Sequence, residues 1–359
     1  MMLRCLYFDE KLKTDKPGFA ERLRKLIQTI GLSLLTVFVT FCAPQSADLA
    51  KLETPTVATL SSPSATEILL PTGTPMETVP VLAYYYIWFE AESWDRAKTD
   101  YPLLGRYSSD DTNVMRQHVR WAKEAGIDGF IVSWKSTEKL NRRLDQLVEI
   151  AEQENFKLAI IYEGLDFERN PLSWTQIASD LGYFINQYSN HPVFDLFEKP
   201  MVIWSGTWEF SPQEIASVVQ DKRDRLLILA SEKNVEGYQR LSGLVDGDAY
   251  YWSSVNPYAH QGYREKLMAM SEAIHQDGGI WVAPAAPGFD ARLVGGSRAI
   301  DRKNGETLRK ELNTALQSSP DVIGLISWNE FSENSHIEPS QEYGHHYLEV
   351  IDEILPIMP

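Results

Sequence analysis

Residues 81–88 read Val-Leu-Ala-Tyr-Tyr-Tyr-Ile-Trp, and residues 322–328 read Val-Ile-Gly-Leu-Ile-Ser-Trp. Both runs are short and rich in β-branched or aromatic residues. Neither alternates strictly with polar residues, which is the pattern of a parallel strand buried on both faces. Six more such runs lie between them, at 129–134, 157–163, 200–206, 226–231, 247–252 and 279–284. Stretches of helical periodicity separate the runs, at 112–125, 139–154, 172–188, 211–222, 258–276 and 305–317, with a shorter one at 234–241. Asp110 or Asp111 stands where the first helix needs its N-cap, and Gly126 follows its end. Eight strands alternating with helices predict an α/β fold, a (β/α)8 TIM barrel over residues 81–359. A doubly wound open sheet is the alternative. The count of eight, and the lack of a Gly-x-Gly-x-x-Gly turn after the first strand, favour the barrel.

Upstream of the barrel, Arg22, Arg24 and Lys25 precede an apolar run from Ile30 to Cys42. A basic patch followed by such a run reads as a signal peptide or membrane-targeting segment over 1–43. The run is shorter than the roughly 20 residues of a stable span, although Leu26 and Ile27 extend it and leave an uncleaved anchor open. Val39-Thr40-Phe41-Cys42 resembles a lipoprotein box, with Phe41 where a small residue is usual. Cys42 is then either a lipidation site or one more apolar residue of the signal core. Residues 44–80 are rich in Pro, Thr and Ser, and too poor in large apolar residues to offset the entropy of ordering, so they read as a flexible linker. The expectation is an exported protein, extracellular or at the cell surface, meeting a membrane only through its N-terminal anchor.

Composition removes several functions. A formal net charge of −16 argues against nucleic acid, which needs clustered Lys and Arg to neutralise phosphates. Cys5 and Cys42 are the only cysteines, so the barrel has no disulfide framework and no Cys-based metal site. There is no phosphate loop, nucleophile elbow or dinucleotide fingerprint, so no cofactor is expected. His336, His345, His346 and Glu338 lack metal-ligand spacing, and no metal is expected. A monomer is expected.

In a barrel of this kind the chemistry sits at the C-terminal ends of the strands. Those ends carry Tyr85, Tyr86 and Trp88, then Trp134, then Tyr162 and Glu163, then Tyr251 and Trp252, and finally Trp328, Asn329 and Glu330. Aromatic faces suit the C–H faces of sugar rings, and carboxylates suit sugar hydroxyls and glycosidic oxygen. The competing reading of each aromatic is plain packing, since alternate strand residues fill a barrel. Glu330 and Glu333 stand three residues apart. If the chain turns helically there, both carboxylates lie on one side, with like-charge repulsion separating their pKa values. They are the candidate catalytic pair, against the reading of a solvated acidic loop.

The stretch Trp328-Asn329-Glu330-Phe331-Ser332-Glu333, followed by Ile337-Glu338-Pro339, resembles the signature of glycoside hydrolase family 99, the endo-α-mannosidases. It is also similar to family-99-like domains found among polysaccharide-biosynthesis proteins. The Tyr-rich first strand, Tyr162-Glu163, Pro287-Gly288 and Arg302-Lys303-Asn304-Gly305 fit the same pattern, so the resemblance covers most of 81–355. It implies a retaining glycoside hydrolase acting on an α-linked, mannose-containing oligo- or polysaccharide. Glu330 would be the base on the substrate's own 2-hydroxyl, forming a 1,2-anhydro sugar, and Glu333 the general acid/base. The endo-mannosidase motif runs Trp-His-Glu-Gly-Thr after its first Glu; here Phe331, Ser332, Glu333, Asn334 and Ser335 stand instead. The tail, with Tyr343-Gly344 and Tyr347-Leu348, looks closer to the biosynthesis-associated branch. A non-catalytic glycan-binding barrel, or a partner in cell-surface polysaccharide biosynthesis, is therefore the alternative.

Further substrate contacts are expected from Asp290 and Arg302, on the long segment after the seventh strand, and from Asn329 and Glu338. Glu163 would bond sugar hydroxyls or form a structural ion pair. For Arg302 the alternative is a surface arginine.

Overall fold

The computed structural model describes residues 79–355. Cys42, the apolar run before it and the linker as far as residue 78 lie outside the described residues, with the expectations attached to them.

Eight parallel strands form one sheet: β1 (Val81–Tyr86), β2 (Gly129–Trp134), β3 (Lys157–Glu163), β4 (Met201–Ser205), β5 (Leu227–Leu229), β6 (Gly247–Ala249), β7 (Ile280–Ala285) and β8 (Val322–Leu325). Their order is β5-β4-β3-β2-β1-β8-β7-β6. The two ends meet, because the Ala230 amide donates to the Gly247 carbonyl and the Ala249 amide to the Ala230 carbonyl, each at 2.9 Å. The result is a (β/α)8 barrel. The helices following the strands are α1 (Thr112–Glu124), α2 (Glu138–Glu154), α3 (Trp174–Tyr188), α4 (Pro212–Val219), α5 (Val235–Gln239), α6 (Tyr263–Gln276), α7 (Glu306–Gln317) and α8 (His346–Ile354).

Local signals set the helix ends. Asp111 caps α1, accepting from the amides of Asn113 and Val114, while Asp110 is turned toward Arg143. Ser211 and Glu214 form a reciprocal capping box at α4, with Pro212 at its first position. Helix α6 starts at Tyr263, later than the pattern from 258 suggested, after Gly262 in the left-handed conformation. Helix α8 was not anticipated; its apolar stripe, Tyr347, Leu348, Val350 and Ile351, is buried.

The period-two alternation of the strands divides the core. Leu82, Tyr84, Ile131, Ala159, Ile161, Met201, Ile203 and Val322 pack together inside the barrel. Their neighbours Ala83, Tyr85, Phe130, Val132, Leu158, Ile160 and Val202 join the layer shared with the helices. At Gly247 two strands approach so closely that an added Cβ would lie 2.0 Å from the Ile280 carbonyl oxygen, at a φ of +151°. Gly247→Ala is therefore expected to cost about 3 kcal/mol, read as a fall of several degrees in the thermal unfolding midpoint; an unchanged midpoint would contradict this account of the β6–β7 contact.

Candidate active site

Strand β8 leaves the sheet three residues before the expected end at Trp328 because the chain changes partners. The Trp328 amide still donates to the Tyr84 carbonyl of β1 at 2.8 Å. Beyond that point the chain pairs with its own return: Ser327 N to Ser335 O at 2.8 Å, Ile337 N to Ser327 O at 2.9 Å and Glu338 N to Trp328 O at 2.8 Å. The tip of this closed loop is one 3-10 turn, Phe331–Glu333, begun by Glu330 and ended by Asn334 in the left-handed conformation. Glu330 caps the turn itself, its Oε1 accepting from the Ser332 amide at 2.9 Å. The Glu330 amide donates to Ser327 Oγ at 2.8 Å. Side chains three apart overlie one another in such a turn, so the fold brings Glu330 and Glu333 together.

A buried polar chain fixes this loop to the rest of the barrel. Glu338 accepts from the Tyr107 hydroxyl at 2.8 Å and meets His118 Nε2 of α1 at 3.0 Å. His118 Nδ1 reaches the Tyr85 hydroxyl at 3.0 Å. Asn329 bridges to β1, accepting from the Tyr86 amide at 2.8 Å and donating to its carbonyl at 3.0 Å. The hydrogen bonds of Asn329 and Glu338 thus hold the loop, a role that the expectation of substrate contacts did not include.

Arg302 is not a surface arginine. It is 5% exposed, donates to the carbonyls of Asn334 and His336 at 3.0 and 2.8 Å, and lies 4.5 Å from the rings of both Tyr343 and Tyr347. It clamps the loop from outside, through cation–π contacts and backbone bonds. Asp290, half-buried, is paired with Arg292 at 2.6 Å and lines a cavity of about 540 Å³ with Arg302, Asn334, Tyr343 and Tyr347.

The expected aromatics divide by strand parity. Tyr86 and Tyr251 meet hydroxyl to hydroxyl at 2.7 Å. Half-buried Trp88 lies against Tyr86, ring centres 4.3 Å apart, and lines a cavity of about 400 Å³ with Glu90, Lys98, Arg143, Glu330 and Ser332. Four others turn the opposite way, into the layer under the helices. Tyr85 stacks on Phe130, Trp134 donates to Asn141 of α2 at 3.0 Å, Tyr162 donates to Asp180 of α3 at 2.9 Å, and Trp252 stacks on Tyr263 of α6. These four are packing residues: adjacent residues on a strand face opposite sides, and only one of each pair can face the mouth.

Glu163 does face the mouth. It is half-buried and accepts from Ser133 Oγ at 2.7 Å. Burial raises its pKa, while Ser133, Arg169 and Lys135 oppose the rise. Glu333 is fully buried, and neither of its carboxyl oxygens has a hydrogen-bond partner among the described residues. Burial first, and the charge of Glu330 second, push its pKa well above the ordinary value, against Arg169. Burial and the neighbouring charge thus both favour the protonated form of Glu333. Neither Arg169 nor Ser133 carried a sequence signal, and the polar partners Tyr107 and His118 come from segments that no motif marks.

The sequence profile of Glycosyl hydrolase family 99 matches residues 85–352. The chain belongs to glycosyl hydrolase family 99. It is 23% identical over 269 residues to a glycoprotein endo-alpha-1,2-mannosidase of Rattus norvegicus, covering 68% of this chain and 57% of that one. A human glycoprotein endo-alpha-1,2-mannosidase-like protein is 22% identical over 272 residues, covering 68% and 58%. The chain spans a little over half the length of these curated relatives. The structure of the GH99 endo-alpha-mannosidase from Bacteroides thetaiotaomicron superposes with a TM-score of 0.68 at 19% identity, covering 77% of this chain and 96% of that one. That likeness confirms the fold, and the family-99 barrel is the frame that holds the two carboxylates.

His336, in the return limb of the same loop, stacks on Phe331 with centres 3.9 Å apart and reaches Asp100 at 3.2 Å. Burial, and then the Arg302 charge, hold its pKa at about 3, against an ordinary 6.5. A pKa depressed by folding means that the unfolded chain binds the proton more tightly. His336 therefore favours unfolding increasingly as pH falls from about 6.5 toward 3, by up to about 1.4 kcal/mol per pH unit. Urea unfolding across that range should show this loss in the wild-type chain and lack that component in His336→Gln. Equal slopes in both would mean that His336 takes up its proton in the folded state.

Proposed function

We propose that this chain is a retaining glycoside hydrolase that cleaves α-linked, mannose-containing oligo- or polysaccharides, with Glu330 as base and Glu333 as general acid/base. The observation that carries the reading is the inequality of two carboxyls on one turn. Burial and its neighbour's charge both push Glu333 toward its protonated form, while Glu330 accepts a backbone N–H bond, which favours a carboxylate. One proton donor and one acceptor at a single glycosidic bond meet the minimum for acid/base hydrolysis.

In an α-mannoside, O2 and the leaving oxygen lie on opposite faces of the ring, so the substrate can supply its own nucleophile. Glu330 takes the proton of the 2-hydroxyl, and O2 attacks C1. The C1–O bond to the leaving group breaks as Glu333 protonates that oxygen. Glu333, now a carboxylate, takes a proton from water, whose oxygen attacks C1. The C1–O2 bond opens, and Glu330 returns its proton to O2. Two inversions at C1 give net retention. Tyr86, Trp88, Glu163 and Tyr251 border the mouth, where Trp88 offers a ring face and Glu163 an acceptor for hydroxyls; Asp290 is proposed as a further contact. The basic patch and apolar run ending at Cys42 support export, with the barrel held at the cell surface by its N-terminal anchor.

The test is reducing-sugar release from a panel of α-mannans and α-glucans. Glu333→Gln is expected to lose on the order of a hundredfold or more in kcat while still binding glycan. The first product anomer seen by proton NMR should be α. A β-anomer would remove the anhydro-sugar route, and release unaffected by Glu333→Gln would remove the acid/base assignment.

A further inference from the structure

The two carboxyls of the catalytic turn must differ in charge, yet they share a site in which burial and mutual repulsion act against any second negative charge. The burial that favours a protonated Glu333 works against an ionised Glu330. The fold must therefore bring a positive charge to the Glu330 side. Arg169, from the segment between β3 and α3, acts on Glu333 and Glu163. Arg302 is occupied behind the loop. The cavity of about 400 Å³ that Glu330 lines holds four cations. Two of these are engaged by α2 contacts: Arg143 donates to Asp110, Glu90 and the Ile87 carbonyl, and Lys139 pairs with Glu90 at 2.5 Å. Glu92 and exposed Arg96 stand on the same rim.

Lys98 is the fourth cation, and its placement is different. It is half-buried. Its Nζ lies 3.5 Å from Ser332 Oγ, and the Ser332 amide is the group that donates to Glu330 Oε1 at 2.9 Å. The side chain arrives over the Trp94 ring, with Nζ 5.6 Å from its centre. Trp94 stacks on Phe89 and meets Phe331 edge-on at 5.5 Å. The aromatic cluster that seats the catalytic turn thus also seats the lysine.

Resting on the hydrolase reading above, we propose that Lys98 is the positioning residue that keeps Glu330 ionised and aimed, acting through Ser332 from the wall of the cavity beside it. The reciprocal effect is present on the lysine. Burial lowers its pKa, the Glu330 charge raises it and the Arg96 charge lowers it further. A cation partly desolvated beside a carboxylate is expected to lower that carboxyl's pKa by about one unit or more.

The experiment is a carbon-13 NMR titration of the full chain labelled at the glutamate side-chain carboxyls. The Glu330 signal is assigned by its disappearance in Glu330→Gln. In Lys98→Met, which keeps an apolar stem over Trp94, the Glu330 titration should move upward by about one pH unit; Lys98→Arg should restore it. The acid limb of kcat/KM should move with it, giving about a tenfold loss below the wild-type limb. A Glu330 titration at the same pH in wild type and Lys98→Met overturns the proposal, as does a uniform loss of kcat/KM at every pH with the limb unmoved. If the wild-type chain hydrolyses no glycan, the hydrolase reading falls, while the titration still decides the role of Lys98.

Discussion

A carboxylate with no exposed surface needs partners for both oxygens, and in this barrel Glu338 finds them on two different segments. Tyr107, on the long connection out of β1, takes one oxygen, and His118 of α1 meets the other. An uncompensated buried carboxylate is costly enough that the chain cannot place Glu338 elsewhere without losing both contacts. The return limb of the loop that carries Glu330 and Glu333 is therefore tied to the first β/α unit of the barrel, across the seam where β8 meets β1. Asn329 closes the outgoing limb onto the backbone of Tyr86. With both limbs held, the turn bearing Glu330 and Glu333 has little freedom left, and the proposed action of both carboxyls on one bond needs that rigidity.

The barrel was legible in the sequence because its strands are buried on both faces. Burial of that kind leaves continuous apolar runs, and eight of them in alternation with helices admit few architectures. The turn carrying Glu330 and Glu333 stood out because its neighbours are unusual: Trp, Asn and Glu at a strand end have few bland explanations together. The directions of single side chains were not legible. Tyr85 and Tyr86 look alike in the sequence, yet one bonds His118 under α1 and the other meets Tyr251. A run of apolar residues hides the parity that an amphipathic strand would display, because both faces are equally apolar. Arg302 and Glu338 failed for another reason. Charged residues in a loop read as exposed, and what buries these two is supplied by Tyr343, Tyr347, Tyr107 and His118, which only the fold assembles.

The departures of the turn from the endo-mannosidase motif have a physical reading. Asn334 stands where that motif has Gly, at a φ of +47°. Asparagine tolerates the left-handed region better than other side chains, so the exchange keeps the backbone that closes the turn. Phe331 stands where the motif has Trp and fills the slot between Trp94 and His336. Ser332 stands where the motif has His, and its short side chain carries no charge. A short hydroxyl leaves room that the Lys98 ammonium approaches from the β1–α1 segment. The residue at 332 thus stands where Lys98 meets the turn, whereas those at 331 and 334 fill a slot and close the backbone.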